Sequence, residues 1–180
     1  AKEFGVPQNR ERIFIVGFRK DLNVTEFKYP KPVNKKTTLE NILETETVSV
    51  KYYLSETYVN TLRNHKARHA SKGNGFGYEI IPNNGTANAV LCGGMGRERN
   101  LVYDFRLKDF TPITHIRGEV NREGIRKMTP REWARLQGFP DNYKIVVSDA
   151  QAYKQFGNSV AVPAIQATAK KIIEKLNHKW

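Results

Sequence analysis

The stretch that decides the fold is Arg126–Pro163, RKMTPREWARLQGFPDNYKIVVSDAQAYKQFGNSVAVP. Thr129-Pro130-Arg131-Glu132 reads as a helix start. Thr129 is placed to cap, Pro130 occupies the first helical position where its missing N–H costs nothing, and Glu132 stands at the capping-box spacing. Trp133, Ala134, Leu136 and Gln137 continue the helix, and Gly138 is placed to end it in a left-handed turn. Ser148 or Asp149 opens a second short helix through Tyr153, closed by Gly157. Gly157-Asn158-Ser159 then forms a polar knot between two apolar segments. Its chemistry leaves two readings open, a plain turn or a ligand loop built from backbone groups and short side chains.

Working outward to the amino-terminal side, Gln8, Arg10 and Arg12 precede the run Ile13-Phe14-Ile15-Val16-Gly17-Phe18. The run is short, β-branched and aromatic, which predicts a buried strand. The arginines at its entrance are either solvated flanking charges or phosphate and base contacts. Tyr29-Pro30-Lys31-Pro32 and Asn34-Lys35-Lys36 read as an extended connector. Thr37 and Glu40 have capping-box spacing for a helix over Leu39–Leu43, and Thr45–Tyr53 reads as a loose strand. Ser55 opens a helix through about Ala67, with Val59 and Leu62 on one side.

Arg63, Lys66 and Arg68, with His65 and His69 among them, charge that helix. The loop after it, Lys72-Gly73-Asn74-Gly75-Phe76-Gly77-Tyr78, is dense in glycine and carries one ring at its tip. Glycines let a backbone approach a surface closely, and a ring so held is suited to wedge or stack in DNA. A hairpin that folds Phe76 into a core fits the same spacing. Tyr78–Ile81 and Ala87–Leu91 read as strands joined by the hairpin signal Asn83-Asn84-Gly85. Gly93–Asn100 is a second glycine-rich loop bearing Arg97 and Arg99, and Leu101–Tyr103 and Ile113–Ile116 read as further strands. The tail Val162–Trp180 is an amphipathic helix: Ile165, Ala169, Ile172 and Leu176 share one face, with Ile173 beside them, which predicts core packing.

The 180 residues bound the chain to one domain or two small lobes, and a formal charge of +12 calls for a polyanion. Nucleic acid leads, a membrane surface follows, and a merely solvated basic surface is the bland alternative. The single cysteine, Cys92, excludes an internal disulfide framework and a multi-cysteine metal site, and fits a reducing compartment. No apolar run approaches the ~20 residues of a membrane span, and no signal peptide is recognisable. Because Ala1 leads straight into folded-looking sequence, the chain is expected to be a segment, or a separately made half, of something longer.

Arg126–Pro140 and Gln151–Pro163 resemble motifs IX and X of the DNA (cytosine-5) methyltransferases. The first follows R-x-L-T-x-R-E-x-A-R-L-x-G-F-P with Met128 for the usual leucine; the second matches Q-x-Y-x-Q-x-G-N-S-V-x-x-P at every fixed position. Gln8, Arg10 and Arg12 resemble the Q-x-R-x-R core of motif VIII, and the three motifs stand in the family's order. The resemblance implies an α/β fold: the C-terminal part of a Rossmann-like methyltransferase domain plus a small β-rich target recognition lobe. Residues 1–32 and 123–180 would belong to the catalytic domain, and residues 33–122 to the recognition domain.

The family flips a cytosine out of the duplex, attacks it with a cysteine thiolate, and methylates it from S-adenosylmethionine. Its Pro-Cys and Glu-Asn-Val motifs and its glycine-rich cofactor loop are absent from this sequence, and Cys92, between Leu91 and Gly93, is not the nucleophile. The resemblance therefore implies a C-terminal half that needs its N-terminal half for activity. Arg10 and Arg12 would serve the flipped nucleotide or nearby phosphates. Asn158, Ser159 and Val160 would close over the cofactor. Arg63, Lys66, Lys72, Phe76, Tyr78, Arg97 and Arg99 would meet double-stranded DNA, arginine being suited to guanine. Arg126, Arg131 and Arg135 would be structural anchors. No metal and no membrane are expected, and the location implied is the prokaryotic cytoplasm at the nucleoid. The glycine loop around Phe76 resembles regions that read CCGG or CCNGG-like sites. The competing expectation is a stand-alone DNA-binding module without methyl transfer.

Overall fold

A computed structural model describes residues 1–33, 35–93, 97–113 and 118–177. Among these residues lie helices α1 (Glu56–Ala70), α2 (Pro130–Leu136), α3 (Asp149–Asn158) and α4 (Val162–Asn177), and short strands β1 (Gln8–Asn9), β2 (Ala87–Asn88), β3 (Leu101–Tyr103) and β4 (Ile125–Lys127). β1 pairs in parallel with β2, Gln8 opposite Ala87. β3 pairs antiparallel with β4, Leu101 opposite Lys127. Single bridges join Tyr53 to Arg126, Ser55 to Val120 and Ile80 to Leu101.

α2 is built as its sequence predicts. The Thr129 side chain accepts from the Glu132 N–H at 3.1 Å, and the Glu132 carboxylate accepts from the Thr129 N–H at 2.7 Å. At the other end Phe139 N–H returns to the Ala134 carbonyl and Gly138 N–H to Arg135, the paired closure that a left-handed glycine permits. Gly138 has φ +77°, and a Cβ there would lie 2.4 Å from Pro163 Cδ. The residue thus serves both the turn and the passage of α4's start. Trp133, fully buried, meets the Tyr153 ring edge-on at 4.8 Å. Leu136 and Ala134 of α2 and Ala152 and Phe156 of α3 complete this core with Leu39 and Val90. A second core forms where Val59 and Leu62 of α1 meet Leu54, Leu101 and Ile125.

Several expectations change. Ile13–Phe18 forms no strand; Ile13 and Ile15 are 91% and 92% exposed, because no neighbouring strand or helix in the described chain covers them. The outer face of α4 is likewise open: Ile165, Ala169 and Ile173 are exposed, and the helix buries Ala164 and Thr168 instead. The turn at Asn83–Gly85 exists, yet its flanks do not form a hairpin. Ala87 pairs with Gln8, while Ile80 bridges to Leu101, so long-range partners outcompete the local one. The cap at residues 37–40 sits one residue later: Thr38 and Asn41 form it, opening a single 3-10 turn, Leu39–Asn41. Thr45–Tyr53 is irregular and ends in a 3-10 turn, Val50–Tyr52. α1 runs three residues beyond Ala67, and Gly157 lies inside α3 rather than closing it. Most of Ile113–Ile116, the Gly94–Gly96 tip and the last residues of the tail lie outside the described residues.

Candidate nucleic-acid and cofactor interface

Gln8, Arg10 and Arg12 share one parity, so an unbroken strand would turn all three to one face; the pairing stops at Asn9, and Arg12 is not held to the face of Gln8. Gln8 and Arg10 point inward and Arg12 outward. Gln8 is fully buried; its Nε2 donates to the Leu136 carbonyl at 2.9 Å, and its Oε1 accepts from Val90 N–H at 3.0 Å. Arg10 is 3% exposed. One terminal nitrogen donates to the Val90 carbonyl, and the other donates to the carbonyls of Gly157 and Ser159, each at 2.9 Å. Burial, then the neighbouring Arg12 charge, pushes its pKa below the usual guanidinium value. These bonds tie Arg10 to the chain's own backbone, and the residue also lines the cleft described next. Arg12 is exposed, and the hydrogen bond recorded for it runs to the adjacent Glu11 carbonyl at 2.7 Å.

Arg10, Arg12 and Val160 line one cleft of about 780 Å³, together with Asn9, Phe14, Ala161 and Ala164. Mostly apolar walls with a few polar groups are the usual make-up of a small-molecule site, and the volume lies within the usual range. The Asn158–Val160 turn is held from beneath. Ser159 donates to the Phe156 carbonyl through both its N–H, 3.2 Å, and its Oγ, 2.8 Å. Gln137 Nε2 donates to the same carbonyl at 2.7 Å. Asn158 and Val160 face solvent. An exposed amide, a fixed hydroxyl and a small apolar group fit one end of an amino-acid-like cofactor.

Two features of this turn escaped the sequence reading. Gln137 reads as an ordinary helical residue, yet it braces the Phe156 carbonyl. Gly157 reads as a turn glycine, yet a Cβ there would sit 2.6 Å from Cys92 N, so it permits a close crossing of chains. A glycine before the polar pair was the available signal for that crossing.

The residues expected to meet DNA do not all present free charge. Arg63 is paired with Glu123 at 2.6 Å, and Arg99 with Glu79 at 3.1 Å. Lys66 donates to the Tyr78 carbonyl at 3.1 Å and lies over its ring. The Arg97 guanidinium stands over the Tyr153 ring at 5.5 Å, which links the second loop to α3. Glu98 beside it is buried and accepts from the Tyr58 hydroxyl of α1 at 3.1 Å. Burial, then the Glu98 charge, pushes that hydroxyl up to about 12. Lys72 is exposed, and Phe76, 55% exposed, leans on His69 with ring centroids 5.8 Å apart. Lys66, Lys72, Phe76 and Tyr78 thus gather at the end of α1, while Arg97 stands apart against α3.

The motif IX arginines are anchors. Arg126, fully buried, binds both Glu132 oxygens at 2.8 Å and Asp104 at 2.9 Å. Arg131 donates to the Tyr143 carbonyl at 2.7 Å, and Arg135 pairs with Asp141 at 2.7 Å and Glu44 at 3.1 Å.

A sequence profile described as C-5 cytosine-specific DNA methylase matches residues 1–174. The chain belongs to this family. It is 72% identical over its full length to the type II methyltransferase M.HpaII of Haemophilus parainfluenzae, covering 50% of that protein. It is 45% identical to M.SsoII of Shigella sonnei, with 98% of this chain and 43% of that one aligned. It therefore spans about half the length of these relatives. Its fold is shared with the S. pombe Dnmt2 methyltransferase, at TM-score 0.62 and 17% identity over 98% of this chain and 55% of that one. This likeness places the chain in the Rossmann-like α/β class. Among the described residues no helix is long and apolar enough to cross a membrane.

Proposed function

We propose that the chain is the C-terminal half of a DNA (cytosine-5) methyltransferase, supplying the grip on duplex DNA and one wall of the cofactor site. The observation that carries this reading is the shared cleft. Arg12 lines it together with Val160, the last residue of the Asn158–Val160 turn. Arg12 holds the phosphates or the polar edge of the flipped cytosine, and its fixed positive charge favours both. Asn158 and Ser159 bind the amino-acid end of S-adenosylmethionine, while Val160 shields it from water. When bound, that cofactor supplies the methyl group.

Lys66, Lys72, Phe76 and Tyr78 approach the DNA as one patch, and Arg97 and Arg99 approach as a second, with a CCGG or CCNGG-like target. Arg63 contributes chiefly by fixing α1 through Glu123. The N-terminal half covers Ile13, Ile15 and the open face of α4, completes the Rossmann-like sheet, and brings the nucleophilic cysteine.

The test is methyl transfer from labelled S-adenosylmethionine to duplex DNA, with this chain alone and with the N-terminal half of M.HpaII added. Transfer by the mixture alone is expected, with the modified site mapped by bisulfite sequencing of a plasmid. A silent mixture that still binds DNA would show a binding module and sink the proposal. An Arg12→Ala mixture is expected to lose turnover while its melting point stays unchanged.

A further inference from the structure

Arg10 is a buried cation with no carboxylate on its recorded bonds; its partners are the neutral carbonyls of Val90, Gly157 and Ser159. Burying a charge without a counter-charge is expensive, and a merely structural position would be filled as well by an apolar residue. What a guanidinium adds is a rigid planar fork that holds several oxygens in fixed relation. Here the fork bridges two segments far apart in sequence. Val90 leads into Leu91 and Cys92, and from there into the loop carrying Arg97 and Arg99. Gly157 and Ser159 lead into Val160, which lines the cleft.

We propose that Arg10 is a positioning residue: it locks the entry of the Arg97–Arg99 loop onto the Gly157–Val160 turn, so that DNA held by the loop tightens the grip on the cofactor. The coupling rests on the methyl-transfer reading above.

Three further contacts leave the lock little slack. The Gly157 Cα faces Cys92 and Leu91 so closely that an added Cβ would lie 2.6 Å from Cys92 N and 2.8 Å from Leu91 C. Gln8, two residues before Arg10, fixes Val90 through its N–H. Arg97, at the far end of the loop, leans on Tyr153 of the same helix that ends in the turn. A displacement of residues 90–92 is therefore carried to Gly157 by direct contact rather than absorbed by side-chain motion. DNA that fixes the position of residues 90–92 thereby fixes Gly157, which gives positive cooperativity between the two ligands.

The experiment uses Arg10→Gln and Arg10→Lys in the enzyme assembled with the N-terminal half. Equilibrium binding of S-adenosylhomocysteine is measured with and without duplex DNA, together with amide hydrogen exchange. In the wild type, DNA is expected to tighten the analogue by about fivefold or more. In Arg10→Gln that gain vanishes and the amides of residues 158–162 exchange about tenfold faster, while those of α2 do not. DNA affinity without the analogue stays within about twofold, and Arg10→Lys, with a single nitrogen in place of the fork, falls between. A DNA-dependent gain that survives in Arg10→Gln overturns the proposal, as does acceleration spread equally over α2.

If Arg10→Gln does not fold, Gly157→Ala pushes on Cys92 from the other side with Arg10 intact. It should abolish the same gain, and an unchanged gain there refutes the lock. Methyl transfer by the wild-type assembly is read separately. Its absence removes the methyltransferase reading, whereas the coupling stands or falls on the binding data.

Discussion

Around α2, Arg126, Glu132 and Asp104 pair with one another inside the chain and are shut off from solvent; along Ile13–Phe18 and the outer face of α4, Ile13, Ile15, Ile165 and Ile173 stand exposed. The first region buries charge and satisfies it; the second displays apolar surface and leaves it uncovered. Solvated monomer surfaces rarely carry such contiguous apolar strips, which mark interaction faces. The comparison teaches that motif IX satisfies its own buried charge, whereas the Ile13–Phe18 strip and the last helix leave apolar surface uncovered, which the proposed N-terminal half would bury.

The scaffold side breaks hardest. Glu132→Ala removes the capping carboxylate and leaves Arg126 buried with one acidic partner. The expected loss is about 3–5 kcal/mol in urea denaturation; a loss below about 1 kcal/mol would show that the pair is not closed in solution.

Acid probes the same cluster from the Asp104 side. Burial alone would raise its pKa, but hydrogen bonds from Arg106 and the charge of Arg126 outweigh burial and hold it at about 2, below the usual 3.8. A depressed carboxyl contributes stability that is fully present above its unfolded pKa and is lost as pH falls through the folded one. The urea midpoint should therefore fall between pH 3.8 and about 2, and Asp104→Asn should flatten that part of the profile.

Thr129→Ala, which removes the cap but not the pair, should cost about 1 kcal/mol by thermal melting. Unchanged melting would show that Glu132 holds the helix start alone.

The smallest effect on the isolated chain sharpens the contrast. Ile173→Ser should change its stability by no more than about 0.5 kcal/mol, because the side chain is already in water. The same substitution should weaken association with the N-terminal half. A large loss in the isolated chain would mean that the α4 face is covered from within.

Much of the scaffold was legible in the residues. Thr129, Pro130, Glu132 and Gly138 punctuate α2 by rules that act within one turn of helix, and the structure follows them at each position. The strands were less legible. Asn83–Gly85 carries a local hairpin signal, yet Ala87 joins Gln8 and Ile80 joins Leu101, since pairing partners are chosen by burial across the chain. At the site, the motif positions were visible, but the burial of Arg10 beside an exposed Arg12 was not, nor were the ion pairs of Arg63 with Glu123 and Arg99 with Glu79.

By itself the sequence determined the helix starts and stops, the excess of positive charge and the presence of the three motifs, because each rests on neighbouring residues or on a sum over the chain. The tertiary structure decided which arginines are free, which isoleucines are covered and why Gly157 must be glycine. Those are matters of what lies across a gap of a few ångströms from a distant part of the chain, and no local rule contains them.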